Sequence, residues 1–378
     1  MKQKNSFSGQ IGFVFAAAGS AVGVGNLWRF PYLAAKDGGG LFLIIYLVLV
    51  LTVGFVLLTT DIAIGRKTGK SAIYAYESMR KKWKFLGVIT FLVPVLIMTY
   101  YAVIGGWILR YIVIYLTSSG KQAVADNCFT SFISSTSSVW YGLIFMFLTA
   151  LIVYNGVEKG IERVSKFIMP VLLIMVIGIA IFSLTLKTTL DDGTVRTGLQ
   201  GLKVYMKPDL TGITIGRFLQ ITLDAMSQLF FSLSVSMGIM ITYGSYVKKD
   251  VDLNKAVSQI EIMDTGVAFL AGVMIIPAVF VFSGLDGMSA GPGLMFVSLP
   301  KVFYCMGVVG RIIGILFFVL AGFAALTSCI SVLESITANC MELFHTERKK
   351  TTRVLSVIYL IATAVIALGY SIFYVEVA

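Results

Sequence analysis

The run Ala18-Gly19-Ser20-Ala21-Val22-Gly23-Val24-Gly25-Asn26-Leu27-Trp28-Arg29-Phe30-Pro31 places three glycines, two small polar side chains and an arginine inside a long apolar segment. In hydrocarbon every backbone N–H and C=O must find a partner. A glycine-rich interruption at that depth therefore turns its freed backbone toward protein, ligand or ion. Unwound carbonyls suit a hard cation, and the positive end of a half-helix suits a carboxylate.

A second interruption lies in Gln228-Leu229-Phe230-Phe231-Ser232-Leu233-Ser234-Val235-Ser236-Met237-Gly238. Serines at every second position do not share one helix face, where neighbours are three or four apart. The spacing predicts a short extended break that presents hydroxyls to one side. The alternative is an intact helix whose serines bond back to the preceding turn; three serines followed by glycine favour the break.

Other chemistries find little support. His345 is the only histidine, so no nucleophile–histidine–acid set can be assembled, and no Gly-Lys-Ser phosphate loop occurs. Cys128, Cys305, Cys329 and Cys340 lack metal or redox spacing. An enzyme is not expected.

The elements that must position these residues are membrane helices. Of the 378 residues 57% are hydrophobic and only 13% charged, with a mean hydropathy of +0.90. Nine apolar segments, near 11–36, 41–65, 86–118, 138–154, 167–187, 216–246, 259–284, 309–342 and 354–376, are each long enough for a hydrocarbon core of about 30 Å. Lys2 and Lys4 lead into the first without the pattern of a cleavable signal. More than half of the 30 basic residues fall in loops on the side of the N-terminus, among them Arg66, Lys82, Lys159, Lys248 and Lys349. That bias places the N-terminus in the cytoplasm of a multi-pass plasma-membrane protein. The net charge of +11 then reflects loops facing anionic lipid and calls for no nucleic-acid partner.

The two interrupted segments are the first and the sixth. Interruptions at corresponding positions of two halves point to a carrier built on inverted repeats. Here the residues also resemble a family. AVGVGNLWRFP followed by GGGLFLIIYL, then QLFFSLSVSMG with ITYGSY, then FAALTSCISVLE, are similar in order and content to the neurotransmitter:sodium symporters. The resemblance runs from about residue 8 to 376. It implies an all-α polytopic membrane protein of the LeuT-type inverted-repeat fold, with helices 1 and 6 broken and about nine spans. The whole is one domain, with a first repeat over about 8–187 and an incomplete second repeat over about 212–376.

The resemblance also implies a sodium-coupled symporter that imports a neutral hydrophobic or aromatic amino acid by alternating access. One sodium site falls on Gly19, Val22, Ala324, Thr327 and Ser328, the other on Ala21, Asn26, Ser232, Asp264 and the substrate carboxylate. Asp264, an expensive intramembrane carboxylate, stands where chloride-dependent members have a neutral residue, so no chloride requirement is expected. The alternative for Asp264 is a solvated position near the helix end. The substrate pocket falls on Ser20, Gly25, Ile97, Tyr101, Ile104, Phe230, Phe231, Ser234, Met237 and Ser328. Tyr101 would close over the carboxylate, and deformable Met237 would soften the size limit.

Gates are implied as well. Arg29 needs an acid, for which Asp224 is the nearest candidate in the chain. On the cytoplasmic side Lys4 would pair with Glu342 under an aromatic cover of Phe7 and Tyr246. Asp61 and Glu334 are expected to bond serines and backbone near the breaks. Family members have eleven or twelve helices, so the chain is expected to lack the tenth and later ones; a sodium- and amino-acid-binding remnant that does not transport is the alternative reading. Oligomeric state is not legible.

Overall fold

The computed structural model describes residues 6–118, 120–125, 127–190 and 192–372. Among these residues seven unbroken helices are long and apolar enough to cross a bilayer: Gly40–Thr68, Lys81–Thr117, Ser137–Tyr154, Val157–Leu184, Leu253–Ser283, Gly307–Phe344 and Arg348–Leu368. Another crossing is the pair Gln10–Ala21 and Val24–Lys36, bent by 57° at its break. The sixth helix in chain order is also broken, into Ile215–Ser232 and Ile239–Gly244. Counted along the chain these are spans one to nine, in the expected order.

Boundaries moved where charge lies at a helix end. Span five starts at Val157 rather than near 167, so Lys159, Arg163 and Lys166 are helical instead of sitting in a loop. Long basic side chains allow this, because the stem packs while the charge reaches water. Span nine starts at Arg348, not 354. The short elements between spans were not foreseen. They include helices at Ala72–Met79, Cys128–Ile133 and Leu299–Cys305, an antiparallel hairpin pairing Lys187–Thr189 with Val195–Thr197, and a helix at Gly198–Met206.

The two broken helices lie at the centre. The first half of span one packs among spans five, seven and eight, and the second half of span six against spans two and eight. The halves cross: Gln10–Ala21 meets Ile239–Gly244, and Val24–Lys36 meets Ile215–Ser232. Both breaks therefore fall at the same level and open toward each other.

Their local forms differ. In span one the chain leaves the helix for Val22 and Gly23, which are extended (ψ 95° and −174°). In span six the break is not extended as the serine spacing suggested. Ser234, Ser236 and Gly238 are left-handed, with φ of 52°, 61° and 73°. Left-handed residues alternating with ordinary ones turn the chain without advancing it. For serine that conformation costs about 1–2 kcal/mol per residue. Part of the compensation is visible: the Ser236 N–H donates to Asp61 Oδ2 at 2.8 Å.

Spans two and six touch backbone to backbone in the turn that follows this acid. A Cβ on Gly65 would collide with the Ile241 carbonyl, and one on Gly244 with the backbone of Ile62. Overpacking of this kind costs about 1–3 kcal/mol. Gly244→Ala is expected to lower the unfolding temperature in detergent by several degrees, measured by thermal melting. An unchanged melt would show that the contact is not close.

Candidate functional site

Where the breaks meet, three polar side chains from three spans close on one another. Asn26 Nδ2 donates to Asp264 Oδ1 at 2.8 Å and to Ser232 Oγ at 3.1 Å. Ser232 Oγ donates to the two Asp264 oxygens at 2.8 and 2.9 Å. The Asn26 side-chain oxygen accepts from the Gly23 N–H at 3.1 Å, which holds the amide at the start of the second half-helix. None of the three is more than 1% exposed. Asp264 is thus fully buried rather than solvated at a helix end. The buried Tyr46 hydroxyl stands beside Ser232, and the buried Gln228 amide nitrogen has no hydrogen-bond partner among the described residues.

A second polar contact joins spans one, six and eight. The Ser20 carbonyl accepts from Ser234 Oγ at 3.3 Å and from Ser328 Oγ at 3.2 Å. Gly19 faces Thr327, whose Cβ would stand 3.3 Å from a Cβ placed on the glycine. Thr327 Oγ1 bonds back to the carbonyls of Phe323 and Ala324 at 2.9 and 3.2 Å. Ala21, Val22 and Ala324 are buried here too. The oxygen-rich ends of two half-helices and one face of span eight are therefore brought together, the donor set that hard cations take.

Between these two clusters lies a small cavity of about 30 Å³. Its walls include Ser20, Ile97, Tyr101, Phe231, Ser234, Met237 and Ser328 from the expected pocket. Gly25 is not in the wall; it packs behind Phe231, 2.8 Å from the ring for an added Cβ. Ile104 is also outside the wall, and Phe230 lines a neighbouring cavity of about 530 Å³ with Arg29. Phe231 and Met237 belong to both cavities and form the partition between them. Gly23, Ile239 and Val332 also line the small cavity. Val332 could have been found, since it follows Ser328 by one helical turn.

The gates differ from expectation. Arg29 donates to Ser227 Oγ at 2.8 Å and, at 3.5 Å, to Gln228. Asp224 does not take it: one turn further along, Asp224 accepts from Lys36 at 3.0 Å and Gln220 at 3.2 Å. Asp37, buried just after span one, accepts from Arg217 at 2.8 Å. Burial raises its carboxyl above the ordinary value even with Lys36 and Arg217 beside it. These bonds lash the second half of span one to the first half of span six.

At the opposite end Lys4 lies outside the described residues. Glu342 is occupied by Ser71, accepting from its N–H at 3.0 Å and its hydroxyl at 2.7 Å. The aromatic cover is present: Phe7 packs edge-on against Tyr243 and Tyr246, and its N–H donates to the Tyr246 carbonyl at 3.2 Å. Among the described residues Glu334 bonds no serine. It is gripped by Arg348 through two bonds of 2.6 Å and accepts from Tyr246 Oη at 2.7 Å. Glu162, which also escaped the sequence reading, accepts from the Ser8 N–H at 2.8 Å, from the Ser8 hydroxyl and from Lys166. Glu261, one turn before Asp264 and buried with one oxygen unpartnered, was missed although it sits in an apolar segment like Asp264.

A pair of crossed broken helices enclosing a cavity flanked by buried oxygen clusters defines the class of ion-coupled membrane carriers. The comparisons agree. The family model for the sodium:neurotransmitter symporter family matches residues 4–139 and 129–375. An uncharacterised sodium-dependent transporter of Bacillus subtilis is 38% identical over 355 residues, covering 91% of this chain and 74% of the relative. One from Methanocaldococcus jannaschii is 32% identical over 399 residues, covering 99% and 77%. The crystal structure of MhsT in complex with L-phenylalanine superposes with a TM-score of 0.84 at 36% identity, covering 99% of this chain and 83% of MhsT. The chain belongs to the sodium:neurotransmitter symporter family. It is a multi-pass membrane transporter coupled to sodium, not an enzyme, with the fold of MhsT.

Two outcomes follow. A Cβ on Gly23 would stand 2.9 Å from Ser328 Oγ and 3.2 Å from Tyr101 Oη. Gly23→Ala should weaken substrate binding by tenfold or more with little change in melting temperature; unchanged binding would place substrate elsewhere. Arg348→Ala leaves the Glu334 carboxylate buried and uncompensated, which costs about 3–5 kcal/mol. Its melting temperature should fall sharply, while Glu334→Gln with Arg348→Met should recover much of the loss. Failure of the double variant to recover any stability would contradict the pairing.

Proposed function

We propose that the protein carries a neutral hydrophobic or aromatic amino acid together with sodium, without a chloride requirement. The observation that carries this reading is the buried Asn26–Ser232–Asp264 cluster beside a cavity walled mainly by apolar side chains. One sodium ion would sit among the Ala21 carbonyl, Asn26, Ser232 and Asp264, with a carboxylate oxygen of the substrate completing the shell. A second would sit among the carbonyls of Gly19, Val22 and Ala324 and the hydroxyls of Thr327 and Ser328.

Tyr101 Oη lies within 3.5 Å of the Val24 N–H, so a substrate carboxylate placed there meets a hydroxyl and the positive end of a half-helix. Ile97, Phe231, Met237, Ile239 and Val332 leave the side-chain compartment apolar. Phe231 and Met237 separate this cavity from the larger one beside Arg29. MhsT, 36% identical, has been crystallised with L-phenylalanine, which supports the same class for this chain. The distribution of Lys and Arg supports a cytoplasmic N-terminus in the plasma membrane. Asp264 supplies the fixed negative charge that chloride would otherwise bring.

Equilibrium binding of labelled phenylalanine, leucine and glutamate to purified protein tests this in sodium chloride, sodium gluconate and potassium chloride. Phenylalanine and leucine should bind at least tenfold tighter than glutamate, equally in both sodium salts, and poorly in potassium. A preference for glutamate would overturn the substrate class. Loss of binding in gluconate would overturn the role given to Asp264.

A further inference from the structure

The hairpin and helix that join spans five and six build an open, largely apolar surface groove edged by three cations, which the transport reading does not use. Arg196 on the second strand and Lys203 and Lys207 on and just after the helix Gly198–Met206 line this groove of about 460 Å³, with Gln200 and Phe280. The Arg196 guanidinium lies over the Phe280 ring, 5.8 Å from its centroid. Among the described residues none of the three cations has a side-chain ion pair or hydrogen bond. Two exposed acids lie within electrostatic reach, Asp192 of Arg196 and Asp209 of Lys207, each also accepting from a turn N–H, of Thr194 at 2.8 Å and of Thr211 at 2.9 Å.

Convergence of these cations needs a reason, because like charges one turn apart destabilise a helix. The helix C-terminus favours Lys203 and Lys207. Arg196 comes from a separate element and still faces the same space. It lies over the Phe280 ring, and its Nη1 would stand 3.2 Å from a Cβ on Gly284.

Depth says what fills the groove. Phe280 is one turn from Ser283, where span seven ends, which is the level of lipid headgroups. The short helix packs flat on that end: a Cβ on Gly201 would stand 2.6 Å from Pro277 Cα. Val195, Leu199 and Met206 around the rim are exposed apolar side chains, suited to acyl chains beside the groove. A planar guanidinium and two ammonium groups suit the oxygens of a phosphate group.

We propose that Arg196, Lys203 and Lys207 form a binding site for a phosphate group, carried by an anionic phospholipid headgroup or by free phosphate, at the end of span seven.

Native mass spectrometry of the full chain, wild type and Arg196→Ala/Lys203→Ala/Lys207→Ala, with phosphatidylglycerol or phosphatidylcholine added, tests this. A parallel arm records melting temperature in phosphate and in chloride at equal ionic strength. For a lipid headgroup, the wild type should retain at least fivefold more phosphatidylglycerol than phosphatidylcholine, and the triple variant should lose that preference. A phosphate-specific rise in melting temperature without lipid preference, absent from the triple variant, would assign the same site to a soluble anion. Should the triple variant not fold, Lys203→Gln, with Lys203→Arg as its charge-retaining control, is read in the same two assays. The same lipid preference and phosphate response in wild type and charge-removed variants would overturn the proposal.

Discussion

A carboxylate buried in the middle of a membrane protein is the constraint on which the rest of this structure depends. Asp264 has no exposed surface, and an isolated charge at that depth is expensive. It is tolerated because Asn26 and Ser232 donate to it from the two helices that are broken. Asn26 and Ser232 lie in the helical turns that border the breaks, so the freed backbone of the breaks lies beside the acid. The breaks, their shared level and the crossing of the half-helices all serve this one contact.

The ends of the broken helices are fixed by a different chemistry at each side. Near Arg29, ionic and polar bonds of Lys36, Asp37, Arg217 and Asp224 bind half-helices from spans one and six into one unit. At the opposite end aromatic packing of Phe7, Tyr243 and Tyr246 does so, backed by the buried Glu334–Arg348 pair. Each end holds one half of span one to one half of span six. The flexible backbone lies between them, where Phe231 and Met237 separate the small cavity from the larger one.

Much of this was legible in the sequence because membrane helices punish exceptions. Glycine, asparagine and serine inside apolar segments announced both breaks, and Asp264 and Asp61 announced themselves as acids in hydrocarbon. Partners distant in the chain were not legible. Ser8 reaches Glu162 across 154 residues, and nothing in either segment names the other. Arg348 lies only 14 residues from Glu334, but the turn between spans eight and nine had to be located first. The left-handed form of Ser234 and Ser236 was hidden as well, since spacing says that a helix stops and not which conformation replaces it. The pairing of Asp224 with Lys36 rather than Arg29 depended on a one-turn difference in height that hydropathy does not resolve.

If one cluster holds both sodium and the substrate carboxylate, each ligand must tighten the other by the same factor, because coupling between binding sites is reciprocal. The most direct measurement is calorimetric titration of phenylalanine at graded sodium and of sodium at graded phenylalanine, on wild type and Asp264→Asn. The account predicts equal coupling factors in the two directions for the wild type and a much smaller factor for the variant. Independent binding of the two ligands in the wild type, or full coupling retained in Asp264→Asn, would contradict it.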